Sequence, residues 1–268
     1  MTALLFLAGI VVLPGVGPTY AQEPLARLQP HPLDAPAVAH NTWTTGKAMP
    51  TPVCYAPTAV LGNEIYILGG CATATTGTAK VQIYNPAKNS WSKGVSLPKA
   101  IWAEAAAVVK GQIYIMGGAT TPNPPWINTV YSYNPKTKKW TRKANVPNAI
   151  AGAVAVVENN IIHLLGGTWN DGYPSYDESY NPATNAWKKE AALLVGKSQF
   201  VAGKIGTTGN TIFATDGVAQ NSFVGDNEGY DVTKNAWAPL AADPTARTGL
   251  AGERSVTNCS SRAATAAH

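Results

Sequence analysis

Hydrophobic and polar positions along this chain follow a scheme that returns four times. Residues 56–61, Ala105–Val109 and residues 154–157 are dominated by apolar side chains, the pattern of a strand buried on both faces. A pair suited to a tight hairpin turn follows in each unit: Gly62-Asn63, Lys110-Gly111, Asn159-Asn160 and Gly209-Asn210. Second strands are predicted at Glu64–Leu68, Gln112–Met116, Ile161–Leu165 and Thr211–Thr215. They end at Gly69-Gly70, Gly117-Gly118, Gly166-Gly167 and the weaker Asp216-Gly217. Paired glycines leave room for another backbone to approach. A third strand carries Tyr84, Tyr133, Tyr180 or Tyr230, and a fourth carries Trp91, Trp140, Trp187 or Trp237, seven residues later. Such a four-stranded meander cannot bury its faces alone and must stack on its neighbours.

Counted from Trp43, these tryptophans are spaced by 48, 49, 47 and 50 residues. Three of the tyrosines open a Tyr-Asn-Pro tripeptide, the fourth opens Tyr230-Asp231-Val232, and Pro50, Pro98 and Pro147 each precede the paired glycines by nineteen residues. A period near 50 with Gly-Gly, Tyr and Trp in that order resembles the kelch repeat, from Asn41 to about Leu250. The resemblance implies an all-β fold, a kelch-type β-propeller of about four complete four-stranded blades plus a partial one. Kelch rings commonly complete one blade from both chain ends. Residues 41–47, with Trp43, look like an orphan fourth strand awaiting three strands from the C-terminus. Residues 243–252 open like a kelch first strand, but residues 253–268 turn polar, without an apolar strand, paired glycines or a Tyr. The expectation is kelch repeats over 41–252, an anomalous disordered tail over 253–268, and an incomplete ring with open edge strands.

The first 40 residues stand apart. Residues 3–13 form an apolar run too short to span a bilayer of about 30 Å, and Thr19-Tyr20-Ala21 offers small residues at a cleavage site. Residues 1–21 therefore read as a signal peptide, although only the amino terminus supplies positive charge before the run. Residues 22–40, with Pro24, Pro30, Pro32 and Pro36, read as an extended leader. The expected location is secreted or periplasmic, with no transmembrane segment after signal cleavage.

Composition adds two exclusions. The chain carries a net charge of +5, but its lysines are spread over turns, which speaks against the basic stripe of a nucleic-acid binder. With three cysteines, four histidines and no CxxC or Cys/His spacing, it suggests neither zinc nor another cofactor. The resemblance extends to secreted copper oxidases built on a kelch propeller, but this chain lacks the histidines for that ligand set. His163 shares a column with Tyr66, Tyr114 and Phe213 and reads as a packed side chain. Counting outward from the Gly62-Asn63 turn places Cys54 opposite Cys71, and a disulfide between them is expected in an oxidising compartment; Cys259 is left over.

Loops leading into the first strands, and those joining second to third strands, share one face of a propeller. On it fall Trp102, Glu104, Trp126, Trp169, Asp171, Tyr173, Tyr176, Asp177, Glu178, Lys197, Phe200 and Arg247. Aromatic rings beside carboxylates and amides suit sugar stacking or peptide recognition, and exposed loop charges would produce the same list. Ligand binding is assigned to Trp102, Glu104, Trp126, Trp169, Asp171, Tyr173 and Arg247. The resemblance implies a binding module for a protein or glycan. The alternative is a carbohydrate-active enzyme similar to the kelch mutarotases of sialic acids, with Glu104 or Glu178 as acid/base and Arg247 as anion ligand. A third reading is a truncated fragment without independent function.

Overall fold

The computed structural model describes residues 45–73, 76–121, 125–168, 172–204, 211–220, 222–254 and 259–263. Regular structure among them is entirely β. Four antiparallel sheets follow one another, each of four strands in chain order. Blade one comprises Thr58–Leu61, Glu64–Leu68, Val81–Asn85 and Ser90–Lys93. Blade two comprises Ala105–Val109, Gln112–Met116, Val130–Asn134 and Lys139–Arg142. Blade three comprises Val154–Glu158, Ile161–Leu165, Asp177–Asn181 and Ala186–Lys189, and blade four Val201–Lys204, Thr211–Thr215, Asn227–Asp231 and Ala236–Leu240. The hairpin turns carry the left-handed backbone that a two-residue connection needs, at Gly62, Lys110-Gly111 and Asn159-Asn160. The turn expected at Gly209-Asn210 lies outside the described residues.

Each sequence landmark holds one blade to the next. A Cβ on Gly69, Gly117 or Gly166 would collide with the backbone carbonyl of Ile101, Ile150 or Lys197 in the following blade. The second glycine of each pair donates its N–H to that same carbonyl, at 2.9, 2.7 and 2.8 Å. Gly217 does so to Arg247 at 2.8 Å. On the outer side, Tyr and Trp face each other across the third and fourth strands (Tyr84↔Trp91, Tyr133↔Trp140, Tyr180↔Trp187, Tyr230↔Trp237). The indole N–H of each Trp reaches back toward the N-terminus, that of Trp91 to the carbonyl of Lys47 and the others to Val95, Ala144 or Ala191 on the chain leaving the preceding fourth strand. In blades one, three and four, an Asn two residues before the Trp accepts from the Tyr hydroxyl and from the backbone N–H of Lys47, Ala144 or Ala191. Blade two has Lys138 at that position.

The core is divided among the seams between blades. Ala59, Tyr66, Leu68, Val81 and Ile83 of blade one meet Ile113, Ile115 and Tyr133 of blade two. Tyr114, Met116 and Val130 meet Ile162, Leu164 and Tyr180 in the same way. Inner strands stack in the order Thr58–Leu61, Ala105–Val109, Val154–Glu158, Val201–Lys204 and Leu250–Arg254. At the free end of this arc Val60 is 63% exposed, whereas its counterpart Val108 packs on the blade-one core. The strand Leu250–Arg254 supplies the first strand of a fifth blade and pairs with Cys259–Ala263. Cys259–Ala263 lies in the polar segment expected to hold no apolar strand, and its sequence, Cys-Ser-Ser-Arg-Ala, is largely polar. Backbone N–H and C=O groups make the ladder, so a polar segment can pair without an apolar face.

Candidate functional site

One to three residues ahead of each inner strand one residue adopts a left-handed backbone: Tyr55, Ala103, Gly152, Gln199 and Gly249. These five positions form a collar. Ala103 N–H donates to Tyr55 O at 2.8 Å, Gly152 N–H to Ala103 O at 2.8 Å, and Gly249 N–H to Gln199 O at 3.2 Å. Glycine takes this conformation freely, but Tyr55 at φ 49° holds strain on the order of 1 kcal/mol. The residue is 52% exposed.

Around Tyr55 the leading loops of blades one and two build an aromatic step. The rings of Tyr55 and Trp102 lie 5.6 Å apart, tilted by 53°. Backbone bonds in both directions to Ala119 fix Trp102. Among the described residues its buried indole N–H has no hydrogen-bond partner, and neither does that of Trp126 in the loop between the second and third strands of blade two. The following N–H, of Ile127, donates to Gly118 O at 3.0 Å, which ties that loop to the paired glycines. An unmet buried donor costs about 1–3 kcal/mol, so an acceptor that reached either N–H would be favoured. In blade one, Cys54 and Cys71 stand directly opposite each other and are joined by a disulfide across a Cα–Cα distance of 5.0 Å. It closes the base of the loop that carries Tyr55.

Glu104 lies beneath this step. It is 4% exposed, and among the described residues both carboxyl oxygens lack hydrogen-bond partners. Its Oε1 sits 2.7 Å from where a Cβ on Gly69 would be, a point also approached by Ile101 O at 2.6 Å and Leu97 Cδ1 at 3.0 Å. Burial raises its pKa from the usual 4.5 to about 8, an effect only partly offset by its own backbone N–H. Glu104 is therefore predominantly a neutral acid at pH 7, turned into the seam rather than toward the loop face.

The other candidates do not converge on this point. Trp169 and Asp171 lie outside the described residues. The backbone of Tyr173 and Pro174 packs on Gly196, at the seam of blades three and four. Asp177 accepts from His163 Nδ1 at 3.0 Å, and the His163 ring packs 5.5 Å from Tyr230. Glu178 is buried in mid-strand between Leu164 and Lys189. Lys197 is wholly buried, with Asp226 and Glu228 on its ammonium and Phe200 5.6 Å away. Arg247 faces Asp243 at 3.8 Å. Glu104, Glu178 and Arg247 thus stand on three blades with separate surroundings, and among the described residues no contact joins them.

A cleft of about 500 Å³ opens between blades three and four, floored by Glu158 and His163 and walled by Trp187 and Tyr230. It lies among the hairpin turns, away from the aromatic step. Sequence reasoning missed Tyr55. Its signal was available in the column it shares with Ala103, Gly152 and Gln199, where an aromatic replaces a small or polar residue.

Comparison with known proteins gives two findings. Residues 30–167 match the family model described as the KLHDC2/KLHL20/DRC7 Kelch-repeats domain. The fold is similar to the solved structure of YjhT, with a TM-score of 0.68 and 19% identity over 79% of this chain and 77% of that one. No curated protein matches the chain in sequence.

Proposed function

We propose that this chain, which belongs to the kelch-repeat family, is a secreted binding module that takes a carbohydrate on the leading-loop face of blades one and two. The observation that carries this reading is the Tyr55–Trp102 step, an exposed tyrosine held in a strained backbone beside an indole N–H that, among the described residues, has no partner. Sugars present an apolar C–H face rimmed by hydroxyl acceptors, which a ring and an N–H at its edge can meet together. Trp126 supplies a second donor. Among the described residues no cation lies over either ring, which favours a neutral sugar over an anionic one. The residues 1–21 direct export, where the Cys54–Cys71 bond persists.

Titration of the purified protein with neutral oligosaccharides, followed by tryptophan fluorescence, tests this. Tyr55→Ala and Trp102→Ala are each expected to weaken binding about tenfold, equivalent to about 1.4 kcal/mol. Binding of peptides with the same dependence, and of no sugar, replaces the glycan with a protein ligand. Sugar binding that neither variant alters removes the step from the site.

A further inference from the structure

Four repeat columns turn ionisable at a single seam, that of blades three and four. Glu158, His163, Asp177 and Lys204 stand where the seam of blades two and three has Val109, Tyr114, Val130 and Val157. The seam of blades one and two has Leu61, Tyr66, Val81 and Val108 in the same columns. Burying ionic groups is commonly no better for stability than packing apolar ones, so filling space does not account for the change. The cleft of about 500 Å³ opens on this seam, with Glu158 and His163 in its lining.

Its floor holds an acceptor without a donor. Glu158 is 2% exposed, and its Oε2 faces the Lys204 ammonium at 2.5 Å. Among the described residues its Oε1 has no hydrogen-bond partner. A second carboxylate, Glu190, lines the same cleft. It accepts from Ser179 Oγ at 2.7 Å and pairs with Lys188, an exposed cation that solvent screens. Burial, and then the carboxylates of Asp177, Glu190 and Asp231, push the Tyr230 hydroxyl pKa above its ordinary value, so the potential at this wall is negative. Both aromatic walls are fixed. The Trp187 indole N–H donates to Ala144 O at 3.0 Å, and the Tyr230 hydroxyl donates to Asn235 Oδ1 at 2.8 Å.

A buried carboxylate oxygen between aromatic faces is complemented by an ammonium group, which brings a charge-assisted hydrogen bond to the floor and cation–π contact to the walls. The volume suits a small molecule. We infer that the cleft between blades three and four binds a small primary amine, with Glu158 Oε1 accepting from its ammonium and Trp187 and Tyr230 flanking its stem. This site is separate from the aromatic step of blades one and two and does not rest on the carbohydrate reading.

Isothermal titration calorimetry of the full chain with n-butylamine tests the site, with n-butanol as the uncharged counterpart. Butylamine is expected to bind with a Kd on the order of millimolar, and butanol about tenfold more weakly or worse. The double variant Glu158→Val/Lys204→Val gives the seam the residues of its apolar neighbour. It is expected to keep the far-UV spectrum and to weaken amine binding about tenfold or more. Glu158→Gln, which keeps the side chain's shape, is expected to show the same loss and decides the matter if the double variant does not fold. Tyr55→Ala is expected to leave amine binding unchanged. Glucosamine in place of butylamine separates the sources: tighter binding assigns the amine to an amino sugar, weaker binding to an alkylamine. Absence of amine binding to the folded native chain overturns the inference. Equal affinity for butanol, affinity retained in the Glu158 variants, or affinity lost in Tyr55→Ala does so too.

Discussion

The seams on either side of blade two and those on either side of blade four share one backbone plan and are filled by opposite chemistries. Between blades one and two, Tyr66 meets Tyr133 with ring centroids 6.3 Å apart, and Val81 fills the space beside them. Between blades two and three, Tyr114, Tyr180 and Val130 repeat the arrangement at 6.0 Å. In the next seam the Tyr becomes His163 and the Val becomes Asp177, bonded to each other at 3.0 Å. The Val109 and Val157 of the earlier seam become Glu158 and Lys204, an ion pair at 2.5 Å. At the seam of blades three and four Lys197 also replaces Ile101 and Ile150, and at the last seam Asp216 stands where other blades have glycine. The strands and the interblade backbone bonds fix the geometry, and side chains of either kind can fill it. The energetic terms differ: an apolar seam degrades in proportion to the volume removed, whereas an ionic seam fails when one partner goes.

The sharpest break of this comparison is Lys197→Met. It leaves Asp226 and Glu228 facing each other without their shared cation, and a loss of about 3–5 kcal/mol is expected in urea unfolding. Leaving stability unchanged would show that the ionic seams are solvated rather than sealed. Converting one seam into the other is expected to have a smaller effect of opposite sign. The double variant His163→Tyr/Asp177→Val rebuilds the third seam on the pattern of the first two and is expected to be neutral to stabilising by up to about 4 kcal/mol. Asp177→Val alone is expected to destabilise. The smallest effect concerns the outer rim. Lys138→Asn gives blade two the acceptor its siblings have for the Tyr hydroxyl and the neighbouring backbone N–H, and a gain of about 1 kcal/mol is expected as a raised Tm.

Much of this architecture was legible in the chain because local rules set it. The second strands fall at Glu64–Leu68, Gln112–Met116, Ile161–Leu165 and Thr211–Thr215, as the turn pairs and paired glycines indicate. The placement of Cys54 opposite Cys71 follows from counting residues outward from a two-residue turn. Trp102 and Trp126 stood out as tryptophans outside the repeat, though nothing local shows that their N–H groups go unmet. Tyr55 was obscure for a different reason. Its place in the step depends on Trp102 in the neighbouring blade, and a repeat reveals its own column far better than what faces it across a seam. Lys197 and Phe200 belong to the same class: their loop position suggested the ligand face, and burial between blades took them out of it. The strand Cys259–Ala263 escaped because its side chains carry no apolar alternation.

The backward reach of each outer tryptophan gives the arc a polarity. A blade brings its own donor and finds the acceptor already in place, on the chain leaving the blade before it. Each of these bonds runs toward the N-terminal neighbour, so a blade leans on the one before it and asks no donor of the one after. Trp91 leans in the same way on the carbonyl of Lys47, which extends the direction to the first described blade.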